Sequence, residues 1–479
     1  MKKSFKIVYS VLFFAVCAAP AVLLPFMGSS AEIEKKELTE LPVFIDNDGI
    51  NTDFSTQFES WFNDRLPMRS ELLSAANLIK GEMLNTVSSN VISNNGWLFY
   101  DSEKLDFMNT NALSDRQINA AAVTLSLLEE KVTSEGGRFV FVPMPNKSSV
   151  YWEHMPACYT KADENNLTRL SAKLSELGVN YTDMLSVMIQ NKELGIYHAR
   201  DSHWNNLGAM IGYNEIMNSL GRPHNTYENA SYTYEQVWRA DLDKLLYPAG
   251  GFMDWQYTFD ITYSTFRFMQ PSGVHDTAAQ LAVFMSDREE NDGNIVTMNM
   301  NKAPNKSLYM VRDSFGRALL PFMIDNYANA TFVRTDRPEL TSSFADKDFV
   351  YEIVERNLKN VIATAPYMFA PERNGVTYPD ISISGNADAV FSDEGYAFRL
   401  YGRLPEDADS GDGRVYAVFR SEAGERVFEA FPIYENKLIG EDGTNGFSMF
   451  IDKSTGLSGE YELVVIADSK AYSGGKIIV

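Results

Sequence analysis

Cysteine is almost missing from this 479-residue chain: Cys17 and Cys158 are the only two. Cys17 lies inside an apolar N-terminal stretch, so Cys158 stands alone in the remainder. No intramolecular disulfide can form there, and the fold must rest on its core. Two cysteines also exclude a thiolate zinc site. The five histidines (His154, His198, His203, His224 and His275) show no metal-ligand spacing, so neither a metal nor a cofactor is expected. Positive charge is scarce as well. A formal net charge of −22 argues against nucleic acid, which selects basic patches, and disfavours peripheral binding to anionic lipid. There is no internal repeat, no low-complexity segment and no phosphate-cradling glycine loop.

Charge is absent from one long stretch, Ile7 to Met27, which follows Lys2, Lys3 and Lys6 and precedes Glu32. A bilayer needs about 20 apolar residues, and cations before the stretch with acids after it place the body of the protein outside the cytoplasm. Residues 1–31 therefore read as a signal anchor. A cleaved signal peptide is the competing reading, since Ser29-Ser30-Ala31 could serve as a cleavage site. The protein is exported either way, and a chain of this length should hold two or three domains.

Phe54, Phe58 and Phe62 recur at helical spacing and are expected to pack into a core. Ser114-Asp115-Arg116-Gln117 is a capping box that opens a helix running to Gly136-Gly137. Arg138 to Val142 reads as a buried strand, and Leu167, Leu170, Leu174 and Leu177 form a helix face closed by Gly178. This alternation predicts an α/β domain over residues 32–374 with a mainly parallel sheet covered on both faces. Asn225 to Asn305, aromatic and Met-rich without a clean period, is expected to be irregular structure walling the site. Leu308–Val311 and Phe332–Val333 read as strands, and Val350, Ile353, Val354 and Leu358 as a helix face. From about Thr377, short β-rich runs separated by Gly, Asp and Asn turns predict a C-terminal β-sandwich, residues 375–479, with a packing or spacer role.

Two short segments carry the chemistry. Asp201-Ser202-His203-Trp204 sets a carboxylate and an imidazole two residues apart. Arg312-Asp313-Ser314-Phe315-Gly316 follows the strand and precedes the run Ala318 to Met323, giving a strand, a tight turn with a serine, and a helix. Such a turn exposes the hydroxyl at the carboxyl end of a strand and aims helix N–H groups at an oxyanion. A serine needs a base to take its proton, and the base needs a third group to fix its tautomer; Ser314, His203 and Asp201 fit those roles. On spacing alone, a buried core histidine and a serine that merely caps a helix fit as well.

Asp201-Ser202-His203-Trp204-Asn205-Asn206-Leu207-Gly208 resembles the signature of the DHHW proteins, relatives of the periplasmic alginate O-acetylation proteins, whose domain is SGNH-hydrolase-like. Phe58 to Arg65 with Arg69, Gly96 to Tyr100, Val142 to Lys147 and Arg312 to Phe315 are similar to further family blocks in the same order, spanning about Asp53 to Leu358. The family name implies a second histidine where Ser202 stands. The resemblance implies an SGNH-like fold and an acyl-serine mechanism in which Ser314, His203 and Asp201 act as the triad. Asn146, Lys147, Arg312 and Trp204 are the candidates for oxyanion and substrate contacts. It further implies an acetyl transfer to a hydroxyl of an exported polysaccharide, with an integral-membrane O-acyltransferase partner supplying the donor. Two alternatives stay open: a carbohydrate esterase with the same triad, and a non-catalytic adaptor of a polysaccharide-modification complex.

Overall fold

The computed structural model describes residues 39–46, 49–67, 69–84, 90–261, 266–270, 273–275, 293–299, 306–374, 383–405, 408, 411–434, 445–467 and 470–479, with isolated residues between 7 and 22. About half of the expected membrane segment, Ile7 to Met27, lies outside the described residues. Among those described, no helix is long and apolar enough to cross a membrane.

Contacts divide the chain into two compact units. The smaller gathers residues 1–101, 199–202 and 236–255. It holds the two-residue strands β1 (Ile45–Asp46) and β2 (Gly49–Ile50), helices α1 (Phe54–Arg65) and α2 (Arg69–Leu84), and the strands β3 (Val91–Asn94) and β4 (Trp97–Tyr100). Asn95 and Gly96, both at positive φ (48° and 86°), make the β3–β4 turn, the Asn-Gly solution for a two-residue hairpin. Val91 and Leu98 of the hairpin pack on Leu242, Leu246 and Tyr247 of the short helix Asp241–Leu246 and its end. The segment 199–202 is tied in through Leu98 N–H to the Ala199 carbonyl, 2.9 Å, and Arg200 to Asp243 at 2.6 Å.

The larger unit contains residues 102–198, 203–235 and 256–479. Its helices include α3 (Asp115–Ser134), α4 (Asn166–Leu177), α5 (Met184–Asn191) and α6 (Asn206–Ser219). α3 opens on the expected capping box, and α4 ends on Gly178 at φ 72°. The central strands are β5 (Arg138–Met144), β8 (Phe266–Gln270), β9 (Gly273–His275), β10 (Ile295–Asn299), β11 (Ser307–Arg312), β12 (Asn329–Arg334) and β13 (Lys347–Val354). Strands β6 (Tyr232–Trp238) and β7 (Asp254–Phe259) pair separately as a ribbon, of which residues 232–235 and 256–259 belong to this unit.

The central sheet has the order β5-β13-β11-β12-β10-β8-β9. Its first four strands are parallel, and β10, β8 and β9 add antiparallel to the β12 side. The sheet is therefore mixed rather than mainly parallel. The antiparallel strands come from the segment expected to be irregular. A second correction concerns Lys347–Val354. Its run Phe349-Val350-Tyr351 through Val354 is buried without interruption, as for a strand covered on both faces, and the i, i+3, i+4 spacing that favoured a helix there was coincidental. The phenylalanine stripe of α1 is also not core: no residue of that helix is buried, and Phe54, Phe58 and Phe62 stack along its surface instead.

Eight further strands follow: β14 (Ile383–Asn386), β15 (Asp388–Asp393), β16 (Ala397–Arg403), β17 (Val415–Ser421), β18 (Gly424–Ile433), β19 (Gly446–Asp452), β20 (Glu460–Ala467) and β21 (Lys470–Ile478). They form one continuous sheet in the order β14-β21-β20-β17-β18-β19-β16-β15, close to a barrel, instead of the two facing sheets of a sandwich. The reason is β18: its first seven residues pair with β17 and its last three with β19, so one strand serves both halves. The end of β18 also reaches the α/β core, where Phe431 and Ile433 join the apolar cluster that contains Leu125 and Leu128 of α3.

Candidate active site

Three parallel neighbours, β5, β13 and β11, deliver their carboxyl ends side by side, the edge at which open α/β sheets bind ligands. Asn146 and Lys147 follow β5, Glu355 and Arg356 follow β13, and Asp313 and Ser314 follow β11.

Ser314 (φ −69°, ψ −26°) precedes the 3-10 turn Phe315–Leu319, and its side chain makes no capping hydrogen bond. Its Oγ lies 2.8 Å from His203 Nε2. The helix-cap alternative therefore fails on geometry, and the base and nucleophile expected from the sequence meet across 111 residues. Their chain neighbours make a second tie: Trp204, 2% exposed, donates its indole N–H to the Phe315 carbonyl at 3.1 Å. The Phe315 ring in turn stands 4.8 Å from the imidazole.

The serine turn is braced from below. Asp313 accepts the Phe315 N–H at 2.8 Å through one carboxylate oxygen and the Val354 N–H at 2.8 Å through the other. Glu352, fully buried on β13, accepts the Asp313 N–H at 3.0 Å. Burial, then the Asp313 charge, pushes the Glu352 carboxyl well above its ordinary range. Arg312 is buried with it and donates to the Asp313 and Gly293 carbonyls. That placement makes it a brace of the loop.

Gly316 leaves no room there. A Cβ would lie 2.6 Å from Glu352 Oε2 and 2.6 Å from Arg312 Cβ. Gly316→Ala is expected to lower stability by about 1–3 kcal/mol, the usual range for overpacking, and to displace Ser314. Thermal unfolding and turnover should fall together, and unchanged turnover would refute the packing argument.

The other predicted contact residues are also buried. Asn146 donates its side-chain amide to Asp106 Oδ2 (3.1 Å) and its N–H to Glu355 Oε2 (2.8 Å). Lys147 Nζ donates to the His198 carbonyl at 3.1 Å, and His198 N–H donates to the His203 carbonyl at 3.3 Å. Lys147 thus holds the histidine loop from the end of β5. Arg356, which the sequence reading missed, bridges the cluster to the nucleophile turn: its guanidinium reaches Asn146 Oδ1 at 3.4 Å and lies 5.5 Å over the Phe315 ring.

Asp201 belongs to the smaller unit, while His203 and Ser314 belong to the larger. Asp201 Oδ2 accepts the Trp238 indole N–H and the Asp241 N–H, both at 2.8 Å. Ser202, where a second histidine would complete the family signature, donates its hydroxyl to Asp241 Oδ2 at 2.5 Å.

Glu355 collects three donors: Asn146 N–H, the Ser149 hydroxyl at 2.7 Å and the Asn165 amide at 2.6 Å. Burial first, then Asp106, outweighs them and raises its pKa to about 8. Because the folded value exceeds the unfolded one, Glu355 favours the fold below its ordinary carboxyl range. That stability is lost as pH rises from there through about 8. Glu355→Gln should remove this loss, so the stability fall between about pH 5 and about pH 9 should be shallower by on the order of a few kcal/mol. Chemical denaturation at the two pH values checks it, and identical falls in the two proteins would refute it.

Residues 91–256 match the family model described as the SGNH hydrolase-like domain of the acetyltransferase AlgX. The resemblance read from the sequence is thereby borne out over about a third of the chain, a segment that includes Asp201 and His203 and stops before Ser314. No curated protein matches the chain. Among solved structures, Bacillus cereus PatB1 is similar at 16% identity, with 56% of this chain and 96% of that one covered and a TM-score of 0.45. A DHHW family protein from Eubacterium siraeum is similar at 15% identity, covering 58% of this chain and 98% of that one, TM-score 0.40. Pseudomonas aeruginosa AlgX is similar at 12% identity, covering 76% and 89%, TM-score 0.34.

Proposed function

We propose, from the SGNH hydrolase-like match over residues 91–256 and the serine site, that this chain is an acetyltransferase acting on a polysaccharide outside the cytoplasm. The observation that carries the reading is the 2.8 Å contact between His203 Nε2 and the uncapped Ser314 Oγ. In the first half-reaction Ser314 Oγ attacks the acetyl carbonyl carbon of a donor ester while His203 Nε2 takes its proton. The tetrahedral intermediate expels the donor's alkoxide, which leaves with that proton. In the second, a sugar hydroxyl gives its proton to His203, attacks the acyl carbon and releases Ser314, which recovers the proton. Asp201 is assigned the orientation of His203. The Phe315 N–H is already held by Asp313, so the Ser314 N–H is the backbone donor assigned to the oxyanion. An integral-membrane acyltransferase would deliver the acetyl group, consistent with the cationic start and uncharged stretch of the N-terminus.

Water in place of the sugar would make the same site an esterase. Incubation with an activated acetyl ester, with and without oligosaccharides, separates the two by mass spectrometry. Acetylated sugar is expected to form at the expense of free acetate. Acetate alone, at an unchanged rate with every acceptor, would favour the esterase.

A further inference from the structure

The larger unit carries an aromatic surface that the acyl-transfer chemistry leaves unused. Tyr232 and Tyr234 stand two apart on β6, so their side chains leave the same face of the strand, and they are 58% and 46% exposed. Tyr257 of β7 meets both, with ring centroids 5.3 Å from Tyr232 and 4.4 Å from Tyr234, the latter tilted by 34°. The row continues inward through Phe259, 5.8 Å from Tyr232, to Phe322, a further 5.8 Å away. Phe259 and Phe322 are both buried. The ladder is thus fixed at one end in the core and open at the other.

Its footing is the candidate active site. Phe322 sits in the helix Leu320–Met323 that follows the Ser314 turn. The Tyr257 carbonyl accepts the side-chain amide of Asn206 at 2.7 Å, three residues after His203. Phe259 is packed in the core, whereas Tyr232 and Tyr234 keep about half of their surface exposed, and contiguous exposed aromatic area marks binding surfaces. The chemistry of the occupant follows from charge. Neither β6 nor β7 contains Lys or Arg, and Glu228, Glu235 and Asp260, within or next to these strands in the chain, are exposed, so neither strand offers a polyanion a cation. A pyranose has an apolar C–H face that stacks on a ring and a hydroxyl rim that suits phenol groups.

We infer that Tyr232, Tyr234 and Tyr257 form a stacking platform for the sugar rings of an uncharged polysaccharide. The inference rests on the acetyl-transfer reading for what the bound chain is used for, and it identifies that chain as the acceptor. Binding itself does not depend on turnover.

Affinity electrophoresis of the full-length protein tests it, in native gels containing hydroxyethyl cellulose, starch or galactomannan, with polygalacturonate as the polyanion. The expected result is retardation by at least one uncharged polymer and none by polygalacturonate. Tyr232→Ala with Tyr234→Ala should weaken the apparent affinity roughly tenfold or more, since each stacked ring contributes on the order of 1 kcal/mol. Tyr232→Phe with Tyr234→Phe keeps the rings and should retain most of it. Free migration of the unmodified protein in every uncharged gel, stronger retardation by polygalacturonate, or an alanine variant retarded like the parent would overturn the platform. Acetyl-ester turnover, measured separately on the unmodified protein, reports on the acetyl-transfer reading, so the two can fail independently.

Discussion

Ser314→Ala is expected to abolish acetyl-ester turnover while leaving the melting temperature nearly unchanged. The prediction follows from the position of the hydroxyl: it makes no helix-capping bond, and its partner is a histidine nitrogen at 2.8 Å. A serine that capped the following turn would behave in the opposite way, with about 1 kcal/mol of stability lost on substitution and turnover retained. His203 cannot rescue the alanine variant, because a base without a nucleophile forms no acyl-enzyme. Residual hydrolysis by water alone should be the floor, and it should no longer respond to added sugar. Turnover with the small ester and thermal unfolding, measured on the same preparations, decide between the two patterns.

Asp201→Asn is expected to be nearly as severe. In serine triads the amide keeps the shape of the carboxylate but favours the wrong histidine tautomer, which lowers the rate by about 10⁴. The substitution is conservative in its surroundings. The amide oxygen that replaces the carboxylate can still accept the Trp238 and Asp241 N–H groups that hold Asp201 now, so folding should be preserved. The pH dependence adds a readout that a structural role would not move: the ascending limb of the rate profile, which reports the histidine base, should change in Asp201→Asn and remain in Gly316→Ala. A fully active, normally folded Asp201→Asn protein would remove Asp201 from the mechanism.

The serine and histidine were legible because their signals are local. A strand, a short turn and a helical run around Ser314, and a polar pair before the helix of Asn206, can be read along the chain, and the resemblance joined them. The braces were not legible. Asp106, Glu352 and Glu355 look like ordinary solvated charges in sequence, yet all three are buried, around the ends of β5 and β13. For Asn146 and Lys147 the position after a strand was legible and the burial was not. The loop after β5 is indeed at the site, but its side chains turn inward to Asp106 and the His198 carbonyl. Lys347–Val354 misled for a related reason. Periodicity separates a half-buried helix from a half-buried strand, and it loses that power when every residue is buried. In the C-terminal region strands were readable from turn residues, whereas the sharing of β18 between its two chain neighbours, β17 and β19, leaves no mark in a run that reads as one strand.

Everything proposed for the chemistry depends on Ser314 carrying the acetyl group. Brief incubation with an activated acetyl ester, acid quench, proteolysis and peptide mass spectrometry examine that step itself. One acetyl group is expected on the peptide that contains Ser314, absent from Ser314→Ala and discharged when an oligosaccharide acceptor is added before the quench. Acetyl transfer to sugar that proceeds with Ser314 unmodified, or undiminished in Ser314→Ala, would contradict it.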